Sequence, residues 1–321
     1  MRVLLTGAAG FIGSSLAERL VARGDEVVGV DNFDPFYPRA VKERNLASLR
    51  QQRGFSFHEL DLADPAAPLA ALLTADTAVV HLAAKAGVRP SLQDPAGYLR
   101  ANLTATQALV DAMRAAGATR LAFGSSSSVY GDDTPAPFRE DHAAIHPISP
   151  YAATKRAGEL VLEALAPHWG LRVASLRFFT VYGPRQRPDL AIHSFTRRIA
   201  AGEAITMFGT GSEGRDYTYI DDIVSGVVAA LDWTATAPVG VDIFNLGGNE
   251  VIELRRMIAE IGAALGVEPR VERAGRQPGD VLLTSADITK SGRVLGYAPR
   301  TPFPEGIRRF VAWYREQHAR Q

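Results

Sequence analysis

The 321-residue chain contains no cysteine. It can therefore form no disulfide, carry no thiolate nucleophile and build no cysteine-ligated metal centre, and no metal site is expected. An excess of one charge is also absent, because 35 lysines and arginines are matched by 35 aspartates and glutamates. Without a basic stripe to neutralise phosphates or an anionic bilayer, nucleic acid and membrane surfaces drop out as partners. Long hydrophobic runs are missing too: no segment stays apolar over the roughly 20 residues that span a bilayer. The apolar stretch after Arg2 is interrupted by glycines and by Glu18-Arg19, unlike a secretion signal. Cytoplasm is the expected compartment. No internal repeat or low-complexity tract occurs.

What is present is a chain long enough for a large core and two lobes, with 46% hydrophobic residues. Apolar runs at 2–6, 26–30, 55–59, 77–81, 119–123 and 171–176 are separated by helical patterns. This alternation predicts an α/β fold, a Rossmann-type doubly wound parallel sheet with ligands beyond the carboxyl ends of its strands. After residue 180 the elements shorten and are broken by GPRQRPD (183–189), FGTGSEGRD (208–216) and GRQPGD (275–280). The expected division is residues 1–180, with about 217–246 returning to them, as the dinucleotide-binding domain. Residues 181–216 and 247–321 form a smaller C-terminal substrate-binding lobe.

The first strand runs into Gly7, Gly10 and Gly13, the spacing G-x-x-G-x-x-G, with Phe11 and Ile12 opening a helix. Such a turn lets backbone approach a pyrophosphate, whose charge then meets unpaired N–H groups at the helix start. The second strand ends in Asp31, eighteen residues after Gly13, where a carboxylate can bond a ribose diol and repel a 2′-phosphate. NAD is therefore expected over NADP. Further strand ends place Asp61 with Leu62, then Leu82 with Ala83 and Ala84, then the run Ser125 to Ser128, in the same crevice.

Tyr151 and Lys155 lie four apart in SPYAATKRAGEL, hence on one helix face. An ammonium about 4 Å from a phenol, at an effective dielectric of about 20, is worth roughly 4 kcal/mol, up to about three pKa units. The pair is expected to bring a phenolate within reach at neutral pH.

Together, the glycine turn, the serine run and the Tyr/Lys pair make the chain resemble the extended short-chain dehydrogenase/reductases over nearly its whole length. Within them it is most similar to the UDP-glucuronate 4-epimerases, through DNFDPFYPRAVKERNLASL (31–49), AGVRPS (86–91), FFTVYGPRQRPDLAIHSF (178–195), GRDYTYIDDIV (214–224) and QPGDV (277–281). The resemblance implies tightly held NAD, resting oxidised, bound by residues of the crevice together with Asn32 and Asn102. Tyr151 and Lys155 would be catalytic, with Ser126 and Ser128 bridging to the sugar. Ser127, Thr180, Arg187 and Arg89 would bind the substrate sugar and its carboxylate; Arg215 would anchor the pyrophosphate, and Gln277 and Asp280 the uridine end of a UDP-sugar. One departure is Arg185-Gln186, where the family is expected to carry Trp-Gly or similar.

The resemblance also favours a homodimer through apolar-faced helices near 95–116 and 149–168, although their periodicity fits intramolecular packing equally well. A UDP-glucose 4-epimerase would share the catalytic residues. A UDP-glucuronate decarboxylase would release a pentose, and a dinucleotide sensor would need no Tyr/Lys pair. A 4,6-dehydratase generally carries Asp-Glu beside the serine, where this chain has Ser127-Ser128.

Overall fold

A computed structural model describes residues 1–248, 250–275 and 283–319, without the side chain of His318. Seven parallel strands form the central sheet: β1 (Arg2–Thr6), β2 (Glu26–Asp31), β3 (Phe55–Glu59), β4 (Ala78–His81), β5 (Arg120–Ser126), β6 (Arg172–Phe178) and β10 (Gly240–Leu246). Their order is β10-β6-β5-β4-β1-β2-β3. The chain winds outward from β1 to β3 and then returns to β4 on the other side of β1. The reversal opens a crevice between the carboxyl ends of β1 and β4.

Alternating side chains explain the two covered faces. Val3 and Leu5 enter a core with helices Phe11–Arg23 and Ile220–Trp233, whereas Leu4 enters a second core with helices Ala105–Ala116 and Pro150–Trp169. All three strand residues are fully buried. The helix expected over 95–116 is built in three pieces: Pro95–Leu99, a π-helical turn at Arg100–Thr104, and Ala105–Ala116.

Outside the main sheet, β7 (Thr180–Tyr182) pairs in parallel with β9 (Gly214–Tyr219), which pairs antiparallel with β11 (Val251–Glu253). A two-stranded ribbon joins β8 (Ile205–Phe208) to β12 (Val271–Ala274). Helix Ile220–Trp233 packs against helix Phe11–Arg23, and β10 extends the main sheet, whereas residues 217–219 end in the small sheet. Among the described residues, no helix is long and apolar enough to cross a membrane.

Candidate active site

The glycine turn is shaped by close backbone approach. Gly7 adopts φ +73° and its amide bonds the Val30 carbonyl at 2.8 Å. A Cβ on Gly7 would stand 2.8 Å from the Ala83 amide nitrogen, and one on Gly13 only 2.1 Å from the Gly7 carbonyl oxygen. The absence of side chains thus lets helix Phe11–Arg23 start directly against β1 and the segment after β4. No side chain caps that helix and no acidic residue sits in its first turn, so its first N–H groups suit a pyrophosphate. The cradle fits a dinucleotide.

Asp31 reaches this turn but is already engaged. Its carboxylate accepts from Ala9 N at 3.2 Å and Phe33 N at 2.8 Å, and lies 3.4 Å from Lys42 Nζ. Lys42 is buried and was not singled out from sequence; its charge partly offsets that of Asp31. Asn32 Oδ1 accepts from Asp34 N at 2.9 Å. Asp61 accepts from Ala63 N and pairs with Arg100 at 2.7 Å, beside buried Leu62. Leu82 and Ala83 donate to the Thr6 carbonyl and hydroxyl, carrying the strand into Ala84. Asn102 braces the segment after β4: it bonds both polar groups of the Lys85 backbone and the Thr154 hydroxyl at 2.9 Å.

Ser149 caps helix Pro150–Trp169 by accepting from Ala152 N at 3.1 Å, and Pro150 supplies the fixed first turn. This aims Tyr151, Lys155 and Glu159 along one face toward β5. Lys155 Nζ donates to the Gly124 carbonyl at 2.7 Å, while Glu159 accepts from Ser125 Oγ at 2.6 Å. Glu159 is fully buried and held at both carboxylate oxygens by Arg177, at 2.9 and 2.8 Å. Burial lowers the Lys155 pKa to about 8, with Glu159 acting in the opposite direction.

The electrostatics of Tyr151 correct the sequence-based expectation. Burial raises its pKa; the opposing influences are a hydrogen bond from Ser126 and the charge of Arg187. Lys155 instead spends its ammonium on Gly124, so the expected lysine-driven shift is not found. Ser126 Oγ accepts from Ser128 N at 3.2 Å and Ser128 Oγ at 2.9 Å, which leaves its own proton to donate to Tyr151. Ser127 opens the short 3₁₀ turn Ser127–Tyr130 that holds this arrangement. Tyr98, not anticipated from sequence, meets Tyr151 edge-on with ring centroids 6.2 Å apart.

Thr180 on β7 lies alongside β9, which carries Arg215. Arg187 stacks over Phe36, 4.9 Å from the ring centre, and both Nε and Nη2 donate to Asp189, at 3.0 and 2.8 Å. Its segment is tied down by the departure residues: Arg185 pairs with Glu18 at 2.7 Å, and buried Gln186 donates to the Val181 carbonyl. Arg89 belongs to helix Val88–Gln93. Gln277 and Asp280 lie outside the described residues.

Glu159 and Arg177 were missed although both left signals. Glu159 continues the Tyr151/Lys155 helix face, and Arg177 is a charge inside the apolar strand RVASLRF. His142 and His146, four apart, occupy an irregular stretch rather than a helix face. Among the described residues, no three His, Asp or Glu converge as metal ligands.

Comparison with known proteins extends the geometry. The model of a family described as "NAD dependent epimerase/dehydratase family" matches residues 3–247. A UDP-glucuronate 4-epimerase of Thermodesulfobacterium geofontis is 38% identical over 315 residues, covering 98% of this chain and 96% of the relative. The crystal structure of UDP-glucuronic acid 4-epimerase from Bacillus cereus, in complex with UDP-glucuronic acid and NAD, is 36% identical. It superposes with a TM-score of 0.92 over 99% of this chain and 100% of that one. A UDP-glucose 4-epimerase of Thermotoga maritima, solved with UDP-glucose, is 30% identical with a TM-score of 0.89, covering 99% of this chain and 100% of that one.

Proposed function

We propose that this chain, which belongs to the NAD dependent epimerase/dehydratase family, reversibly inverts C4 of UDP-glucuronate to give UDP-galacturonate. The observation that carries this reading is the placement of Ser126 at the end of β5, oriented by Ser128, where its hydrogen bond favours the Tyr151 phenolate and the charge of Arg187 acts in the same direction. The likeness to UDP-glucuronate 4-epimerases along nearly the whole chain supports the same choice.

NAD, retained between turnovers, supplies the hydride acceptor and donor for C4. Residues Gly7, Gly10, Phe11, Ile12 and Gly13 would hold its pyrophosphate, Asp31 and Asn32 a ribose, and Asp61 with Leu62 the adenine side. Leu82, Ala83, Ala84, Asn102, Tyr151 and Lys155 would complete the cradle. In this arrangement residues 1–180 with 217–246 carry the cofactor, and 181–216 with 247–321 the nucleotide sugar.

Tyr151 takes the proton from the C4 hydroxyl as a ketone forms at that carbon, and gives it back after the sugar has turned its other face. Ser126 favours the phenolate by donating to it, and Ser128 orients Ser126. Lys155, anchored on Gly124, places a positive charge one helical turn away. Turning requires that the pyrophosphate remain fixed while the hexose is released, which is the role of Arg215, with Gln277 and Asp280 at the uridine end. The 4-ketone of a uronate is a β-keto acid, and it loses carbon dioxide when the bond from C5 to the carboxylate aligns with the carbonyl π system. Thr180 and Arg187, together with Ser127 and Arg89, would hold the carboxylate out of that alignment.

Purified protein incubated with UDP-glucuronate and no added cofactor should yield UDP-galacturonate. UDP-xylose with carbon dioxide would make the chain a decarboxylase. Turnover of UDP-glucose alone would make it a UDP-glucose 4-epimerase, a reading favoured by one observation: Asp189 already satisfies Arg187, so a neutral hexose meets no unpaired guanidinium.

The proposal extends to a cytoplasmic homodimer. Leu99 and Leu160 lie exposed on the two helical segments that would face a second copy. Sedimentation of the wild type as a monomer would contradict this.

A further inference from the structure

The Nε–Nη2 edge of Arg187 is already occupied. Its Nε and Nη2 hydrogens meet the two oxygens of Asp189, the planar bidentate arrangement that a sugar carboxylate would itself make. The two members of the pair are held differently. The Arg187 side chain is 17% exposed and its guanidinium lies over the Phe36 ring, 4.9 Å from its centre. The Asp189 side chain is 42% exposed and can turn into solvent. Both charges act on the Tyr98 phenol with opposite sign, and Tyr98 packs edge-on against Tyr151.

We propose that Asp189 is a specificity-determining residue whose carboxylate competes with that of the sugar for the Arg187 fork. The inference rests on Arg187 being the carboxylate clamp. A uronate gains the side-on contact at Nε and Nη2 only by displacing Asp189, whereas a neutral hexose leaves the internal pair intact. Asp189 thereby weakens the preference for acidic over neutral sugars and keeps Arg187 paired when the sugar offers no charge. If Asp189 merely positioned Arg187, its removal would have the opposite effect on uronate binding.

Calorimetry on the NAD-loaded wild type, Asp189→Asn and Arg187→Ala, each with UDP-glucuronate and UDP-glucose, separates these roles. Asp189→Asn should raise the ratio of UDP-glucuronate to UDP-glucose affinity by about threefold, the size expected of a partly exposed ion pair. Arg187→Ala should lower the same ratio. An unchanged or lower ratio in Asp189→Asn, with the ratio also lowered in Arg187→Ala, overturns the competition and leaves the clamp standing. A ratio unaffected by Arg187→Ala removes the clamp itself, and the competition with it.

Discussion

The main sheet and the small lobe place their functional residues by different means. In the sheet, candidate side chains stand at successive strand ends or on one helix face: Gly7 after β1, Asp31 ending β2, Ser126 ending β5, then Tyr151, Lys155 and Glu159 along one helix. In the lobe, position depends on contacts between distant segments. Asp216, for example, accepts from Gly248 N at 2.6 Å and Ala286 N at 3.0 Å. Regular periodicity thus fixes the site proposed to handle the proton, while non-local loop contacts fix the site proposed to choose the sugar. Substitutions in the first region should affect every substrate or the whole fold; those in the second should discriminate among sugars.

The largest effect should come from Tyr151→Phe, which removes the proton acceptor while retaining the ring. A fall in kcat of about 10³-fold or more is expected for UDP-glucuronate and UDP-glucose alike. Turnover at the wild-type rate would break the assignment of chemistry to the sheet side. Next comes Arg177→Met, which leaves Glu159 buried without its bidentate partner. Chemical denaturation should register a loss of about 3–5 kcal/mol, whereas a loss below about 1 kcal/mol would mean that the pair is solvated or dispensable.

His81, also at the sheet's carboxyl edge, should make stability pH-dependent. Burial holds its pKa down at about 3, with its ring bonded to Thr6 at 2.7 Å and Thr106 at 2.9 Å. Because the folded value lies below the unfolded value of about 6.5, the stabilisation is complete above that pH and disappears as pH falls toward 3. Between pH 7 and pH 4 the wild type should lose on the order of 2–3 kcal/mol more than His81→Gln in urea melts. Equal losses would show that His81 is not held neutral.

The smallest effect belongs to the lobe. Thr180→Val should reduce kcat/KM for UDP-glucuronate by about tenfold, the loss of one hydrogen bond to a charged group, and change UDP-glucose much less. Equal losses on both sugars would erase the distinction between the two regions.

Legibility followed the same division. The alternation of apolar runs and helical patterns made the order of strand and helix readable, and the strand-end rule brought Gly7, Asp31 and Ser126 to one edge. That the expected lysine effect on Tyr151 would be missing was not readable, because helical spacing places Cβ atoms on a face without saying which acceptor the Nζ finds; here it is the Gly124 carbonyl. The Asp189 partner of Arg187 was equally hidden, since an ion pair within an irregular loop has no periodicity to announce it. The π-helical turn at Arg100–Thr104 interrupts a pattern that apolar spacing alone reads as continuous.

On the proposed mechanism the hydrogen removed from C4 returns to the carbon it left, on the opposite face, with only the hydroxyl proton passing through Tyr151. UDP-glucuronate deuterated at C4, turned over in ordinary water and analysed by NMR, tests this directly. Retention of deuterium at C4 in UDP-galacturonate is the expected result; its replacement by solvent hydrogen would contradict the account.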